Sequence, residues 1–490
     1  MYKTKLLQIL NHLSPKEKKQ FQEFVASPYF NQREEAKVML SHLLSLPPED
    51  PGLHRRSVYR VVYGKAQLNE TRLRLETSHL YKLLKRFLAQ KAYEKDDSAS
   101  ELYLLTSLRE HKLTKVFEIE QKRFDSKLAQ SATQDGDYHY AQFKKEAEAN
   151  AMYGQQYLRL PDPHLQAKID HLDRYYLLLK LKESCEMRNR ERILNTPYEL
   201  HLLAEIRAFL QQNQAWLAED PALAIYSLIL QLQDAELAKK PDLERLDQLL
   251  TLLAQHHQLV NQQEARGMYK HAQNYCIRCV NLGIAGFRER LLAIYQQGLE
   301  NGLLLVTGTI APTDYQNIVI TALRLDKLAW AKSFAEEYQS KLVAEGRNNA
   351  YHMVLAHIYN AEGRNSDAIQ LLQSVQFSDI SFQLNARMLL FQLYYEQQAW
   401  EAALYHLEAF NIFVRRNKQI PTPRRKAYSN QLKLSRKLIL LAEKTKKLGG
   451  EEFRKETESL HRQLQHTSQL VNRNWLVGKL QKLKDIYLKG

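Results

Sequence analysis

YHMVLAHIYNAEGRNSDAIQLLQSV, residues 351–375, is followed by ARMLLFQLYYEQQAWEAALYHLEAF, residues 386–410, and the two stretches carry one pattern. In the first, His352, Leu355, Ala356 and Tyr359 recur at i, i+3, i+4 and i+7. After Gly363, Ala368, Leu371, Leu372 and Val375 do so again. The second stretch gives Ala386, Leu389, Leu390, Leu393 and Tyr394, then Trp400, Ala403, Leu404 and Leu407. With 3.6 residues per turn, each series is one face of an α-helix. Ala368 and Ala403 fall early in each second helix, where a small side chain lets paired helices approach closely. The reading is two consecutive antiparallel helical hairpins, 350–375 and 385–410.

Tyr359 and Tyr394 are 35 residues apart, close to the period of about 34 that marks tetratricopeptide repeats. The pair resembles such repeats, without their usual first-helix Trp and the Gly that follows it. The resemblance implies hairpins that bury their apolar faces only against their neighbours. A weaker hairpin precedes them at 315–338. Tyr315, Ile318, Val319, Ala322 and Leu323 form its first stripe, and Ala331, Phe334, Ala335 and Tyr338 its second. Three hairpins are about the minimum for a self-supporting array.

Other stretches widen the resemblance: SPKEKKQFQEFVASPYFNQ (14–32), LETSHLYKLLKRFLA (75–89), HLDRYYLLLKLKESCEMRNRERIL (171–194), VITALRLDKLAWAKSFAEEY (319–338) and residues 385–420. Together they look like a group of bacterial helical-repeat proteins of unknown function. The resemblance implies one architecture along nearly the whole chain and brings no activity, ligand or catalytic residue with it.

Composition agrees with helix. Gly (16) and Pro (13) are few among 490 residues, roughly half of ordinary usage. The fold expected is all-α: a tetratricopeptide-like superhelical array of hairpins with an N-terminal helical module. Four segments are expected: the module at 1–95, stacked hairpins at 96–300, tetratricopeptide-like repeats at 301–416, and basic helices at 417–490. In the module, Ser14-Pro15-Lys16-Glu17 is a capping box with Pro at the first helical position. Asn31 and Asn69 are read as caps of later helices, and Pro47, Pro48 and Pro51 close the helix between them.

Three cysteines make no disulfide framework at this length, so a reducing compartment is expected. The N-terminal stretch lacks a signal-peptide core, and no apolar run reaches the roughly 18 residues of a membrane helix. The expectation is a cytoplasmic protein with no membrane partner.

Candidate chemistry is sparse. Cys276 and Cys279, with His271 upstream, have CxxC spacing but no second ligand pair for zinc. Ala272, Tyr275, Cys276 and Cys279 instead form a helical stripe, which reads as buried core. His256 and His257 are adjacent and point to different faces. Arg55, Arg56, Arg60, Lys82, Lys85 and Arg86 flank a Gly64 turn, but the interval to Asn69 is long for a helix-turn-helix. Phosphate loops, zinc-protease, calcium and nucleophile-elbow motifs are absent. No enzyme, cofactor or metal is expected.

Charge is the informative signal. The net charge is +15, yet residues 411–490 hold 20 Lys and Arg against 6 Asp and Glu. In the helix near 424–447, Lys426, Lys433, Arg436, Lys437, Lys444 and Lys447 share one face, beside Leu434, Leu438 and Leu441. Arg415, Arg416, Lys418, Arg424 and Arg425 enlarge the patch, and Glu443 is the lone acid in 411–450. Such one-sided charge fits an anionic partner, or a solvated face that keeps the chain soluble. The function expected is a scaffold or adaptor for a protein or peptide partner. The alternative is a nucleic-acid-associated factor gripping phosphates through the basic helix. The stripe holds no aromatic, so base stacking is not expected.

Overall fold

The computed structural model describes residues 4–489 apart from 49, 65–66, 97, 158–159, 195–196, 235–240, 345, 376–378, 445–448 and 468. The protein is 80% helical, an all-α fold. It divides into two compact units, residues 1–130 with 141–170, and residues 131–140 with 171–490.

The first unit contains α1 (Lys5–His12), α2 (Pro15–Ala26), α3 (Glu34–Ser45), α4 (Arg55–Tyr63), α5 (Glu70–Tyr93), α6 (Ala99–Glu110) and α7 (Thr114–Ala129). Residues 141–156 of α8 (Gly136–Gln156) and 163–170 of α9 (Pro163–Leu194) complete it. The capping box forms as read: the Ser14 backbone N–H donates to Glu17 at 3.0 Å, and Ser14 Oγ accepts from the Glu17 N–H. Asn69 likewise accepts from the Arg72 N–H at 2.9 Å. Asn31 differs from expectation, because Arg33 occupies the cap position of α3. Asn31 is buried, and its amide donates to the Val25 and Arg33 carbonyls while its oxygen accepts from the Arg33 N–H. A side chain with both donors and acceptors is better used bracing a buried turn than capping one N–H.

The second unit continues through α10 (Leu203–Gln212), α11 (Gln214–Glu219), α12 (Pro221–Asp234), α13 (Leu243–His256), α14 (Gln262–Asn281) and α15 (Phe287–Glu300). A two-stranded ribbon, Leu305–Val306 against Thr309–Ile310, precedes α16 (Pro312–Leu323) and α17 (Leu328–Gln339). Then come α18 (Arg347–Ala361), α19 (Asn365–Ser374), α20 (Ile380–Glu396) and α21 (Trp400–Arg416). The chain finishes with α22 (Thr422–Lys444), α23 (Gly450–His466) and α24 (Arg473–Lys489).

Successive helices pack in pairs: α12 on α13, α14 on α15, α16 on α17, α18 on α19, α20 on α21. Four of these pairs reverse through the same turn, the α14–α15 pair by the Ile284 N–H donating to the Cys279 carbonyl at 3.0 Å after a left-handed Gly283. The N–H of Lys327, Arg364 and Ala399 donates to the carbonyl five residues back, Ala322, Tyr359 and Tyr394, at 3.0, 2.9 and 3.0 Å. This closure needs a left-handed residue just before the donor. Gly363 takes that conformation freely (φ +79°), whereas Asp326 (+56°) and Gln398 (+55°) adopt it with a Cβ.

First helices of neighbouring pairs also touch, at α12–α14, α16–α18 and α18–α20, so they bury two faces. On α18, Ala350, Val354 and Ile358 join the core that holds Tyr315, Ile318 and Val319. Met353 and Ala356 face the other way, with Ala368, Leu372, Leu389 and Leu393. On α20, Leu384, Met388, Phe391 and Tyr395 meet Ala403, Leu407, Phe410 and the C-terminal helices. The single stripe read in sequence on α20 is thus one of two; Leu355, Tyr359 and Leu390 are only half-buried. Leu476 is buried, and Trp475 meets Phe391 and Tyr395 edge-on at 5.3 and 5.2 Å, seating α24.

Polar pairs link first helices across this interior. Gln233 of α12 lies 3.2 Å from His271 Nδ1 of α14, and Gln316 of α16 lies 3.4 Å from His357 Nε2 of α18. Enclosure by protein, reinforced by the nearby Arg324 charge, pushes His357 down to about 3. Burial also lowers His271.

Ala368 and Ala403 are fully buried. Ala403→Leu is expected to destabilise the protein by about 1–3 kcal/mol, because overpacking forces paired helices apart. An unchanged denaturation midpoint would refute that packing.

A neutral His357 makes stability depend on pH. Below its ordinary value of 6.5 the unfolded chain binds a proton that the folded one refuses, down to about pH 3. Stability is therefore full above 6.5 and falls on acidification, by at most about 1.4 kcal/mol per pH unit for this group. Denaturation of His357→Gln between pH 6.5 and 5 is expected to show a shallower loss than wild type.

Candidate functional site

Helix α22 starts just after Pro421, carries Pro423 in its first turn, and docks through an apolar face. Leu434, Leu438 and Leu441 are buried as read from sequence, with Tyr428, Leu432 and Ile439. Two polar groups are buried among them, and one, Gln431, accepts from the Asn472 N–H at 3.1 Å. With that side occupied, Lys426, Lys433, Arg436, Lys437 and Lys444 are exposed. Among the described residues none of these five pairs with a carboxylate.

The rest of the expected patch divides. Arg415, Arg416 and Lys418 are exposed at the end of α21 and in the turn beyond it. Arg425 turns inward, donating to the Asn417 and Ile420 carbonyls at 3.2 and 2.9 Å and so fastening that turn. Arg424 donates to Ser381 Oγ at 3.1 Å and lies over the Tyr428 ring. These two arginines act in folding. Lys447 lies outside the described residues.

The sequence missed what stands beside the stripe. Between α22 and α23 runs a cavity of about 270 Å3, lined by Lys437, Leu440, Leu441 and Lys444 on one side. Glu452, Glu456, Ser459, Leu460 and Gln463 line the other. Lys437 Nζ donates to Gln463 Oε1 at 2.7 Å across it. Glu451 and Glu452 belong in the first turn of α23, where the helix dipole favours acid. The groove therefore has a basic wall, an acidic wall and leucines between them. Its signal was present in EEFRKETESLHRQ, but a wheel drawn for one helix does not show its neighbour.

Other sequence candidates occupy structural places. Cys276 and Cys279 are fully buried in the main core of the second unit. Burial pushes Cys276 up to about 12 and Cys279 up to about 11, and it raises Cys185 as well. His271 is engaged by Gln233, and His257 Nδ1 lies 3.1 Å from the Leu253 carbonyl. Among the described residues no group of three or more His, Cys, Asp or Glu is placed to hold a metal. In the first unit Arg55 pairs with Glu70 at 2.8 Å, and Lys85 and Arg86 lie over Tyr81 and Phe30. Lys145 is buried and pairs with Asp125 and with Glu146, which also bonds His164 at 2.7 Å. Burial alone would lower the Lys145 ammonium, but those carboxylates outweigh it and hold it charged. A lysine so held is no nucleophile. Among the described residues no helix is long and apolar enough to cross a membrane.

A thiolate is the reactive form of cysteine, so raised, buried thiols are inert. A water-soluble disulfide reagent at pH 8 is expected to label none of the three cysteines in the folded protein and all of them after denaturation. Stoichiometric labelling of the native protein would overturn the core placement.

Comparison of the chain with protein-family models, curated proteins and solved structures finds no match in any of the three.

Proposed function

We propose that the protein is a non-enzymatic helical-repeat scaffold that binds a protein or peptide partner at the α22–α23 groove. The observation that supports this reading is the mixed character of the groove. Leu440 and Leu441 lie between Lys437 and Lys444 on one wall and Glu452 and Glu456 on the other. A peptide offers apolar side chains and both charge signs along a few residues, which such walls complement. A phosphate backbone offers one sign only, and Glu452 and Glu456 would repel it. The exposed Lys426, Lys433 and Arg436 extend the basic side and favour partners that are acidic next to their apolar residue. Nucleic acid stays a second reading, resting on the same unpaired cations.

Salt separates the two. A complex built on phosphate contacts loses affinity by orders of magnitude on modest salt addition, because each contact releases counterions. An apolar groove with a few ion pairs loses much less. We expect a labelled acidic, leucine-containing peptide to bind wild type and to lose about tenfold or more in Lys433→Glu/Lys437→Glu/Lys444→Glu, with duplex DNA weaker and far more salt-sensitive. If the variant matches wild type for the peptide, the basic face is only solvated.

A further inference from the structure

A separate cavity of about 430 Å3 lies in the second unit, walled by residues of α14, α15, α16, α18, α20 and α24. That volume falls in the usual range of small-molecule sites. Its cations are Arg288, Arg324, Arg473 and Lys479. Arg473 is committed, since its guanidinium donates to the Leu464 and Thr467 carbonyls at the end of α23. Lys479 is paired with Glu396, which is the carboxylate of the lining among the described residues.

Arg288 and Arg324 are left. Among the described residues neither guanidinium has a hydrogen-bond or ion-pair partner. Arg324 is exposed and Arg288 half-buried, yet desolvation by the surrounding protein and then the Arg288 charge lower the Arg324 pKa. Burial, with the Arg324 charge added, keeps the neighbouring His357 neutral.

This arrangement costs the fold free energy. Two guanidiniums lining one cavity repel, because each disfavours the charged form of the other. Arg288 is also the second residue of α15, where the positive end of the helix dipole disfavours a cation. Arg324, just after α16, gains from the dipole, so placement alone accounts for it and not for Arg288. Uncompensated strain of this kind gathers at binding sites.

The remaining lining says what would relieve it. Asn360 and Gln392 add amide donors, and among the described residues the buried Gln392 Nε2 has no hydrogen-bond partner. Ile320, Leu323, Leu389 and Trp475 add apolar surface to a wall that Asn281, Asn472 and Asn474 make polar elsewhere. Planar guanidinium forks match the oxygens of carboxylate and phosphate. We propose that this cavity binds a small organic oxyanion, a carboxylate or phosphate carried on an apolar or aromatic body, with its oxygens held by Arg288 and Arg324.

The test is calorimetric titration of the full chain with benzoate, phenyl phosphate and inorganic phosphate. The expected result is saturable binding of benzoate or phenyl phosphate, tighter than inorganic phosphate, with the preferred probe telling carboxylate from phosphate. Arg324→Gln and Arg288→Gln are each expected to weaken it tenfold or more, and Arg324→Lys less, because a point charge replaces a fork. Thermal unfolding separates binding from structure: Arg288→Gln is expected to melt at or above the wild-type temperature, since it relieves repulsion. The His357 imidazole pKa, followed by NMR, is expected to rise when the anion offsets Arg324. No saturable binding of either organic probe would overturn the proposal. So would unchanged affinity in Arg324→Gln, a lower melting temperature for Arg288→Gln, or inorganic phosphate binding as tightly as phenyl phosphate.

Discussion

A helix in the interior of a stack must bury two faces, one against the hairpin before it and one against the hairpin after. On α18 this sets Ala350, Val354 and Ile358 against one core and Met353 and Ala356 against another. Because each face is narrow, the helices must come close, and fully buried alanines at 368 and 403 permit that approach. The reversal between paired helices must then be short and repeatable. One hydrogen-bonded turn does this at Lys327, Arg364 and Ala399. The paired helices tolerate a left-handed Gln398 and Asp326 in that turn. The cost of the conformation is about 1 kcal/mol, small beside the apolar area the turn brings together.

Burying two faces also forces polar groups inside. A helix surface has no third apolar stripe to spare, so glutamines and histidines of first helices meet each other instead of water. Gln233 with His271 and Gln316 with His357 are such pairs. A neutral imidazole suits the site because a charged one would need desolvation with no counterion. In the first unit the buried Lys145 ammonium is matched by Asp125 and Glu146.

Periodicity made the hairpins legible. Gly363, the 3.6-residue stripes and the capping box at Ser14 each state a local requirement in residue types, and the structure meets each locally. The limits are equally local. Asp326 and Gln398 adopt the turn conformation without a glycine to announce it. The second face of α20, Leu384, Met388, Phe391 and Tyr395, was hidden because a helix apolar on two sides has little net amphipathicity. Asn31 was misplaced because its residue type suits a cap and a buried brace alike.

Sites differ from helices in this respect. The basic face of α22 could be read because its residues share one helix and one period, while its acidic opposite wall belongs to α23. The second cavity gathers Arg288 of α15, Arg324 after α16, His357 and Asn360 of α18 and Gln392 of α20, and no one helix's period shows them together. Each residue alone looks ordinary, an arginine at a helix end or a glutamine half inside. Only the packing reveals that the two guanidiniums line one cavity whose carboxylate among the described residues, Glu396, is taken by Lys479. Unbalanced charge is a property of the assembled space rather than of any segment.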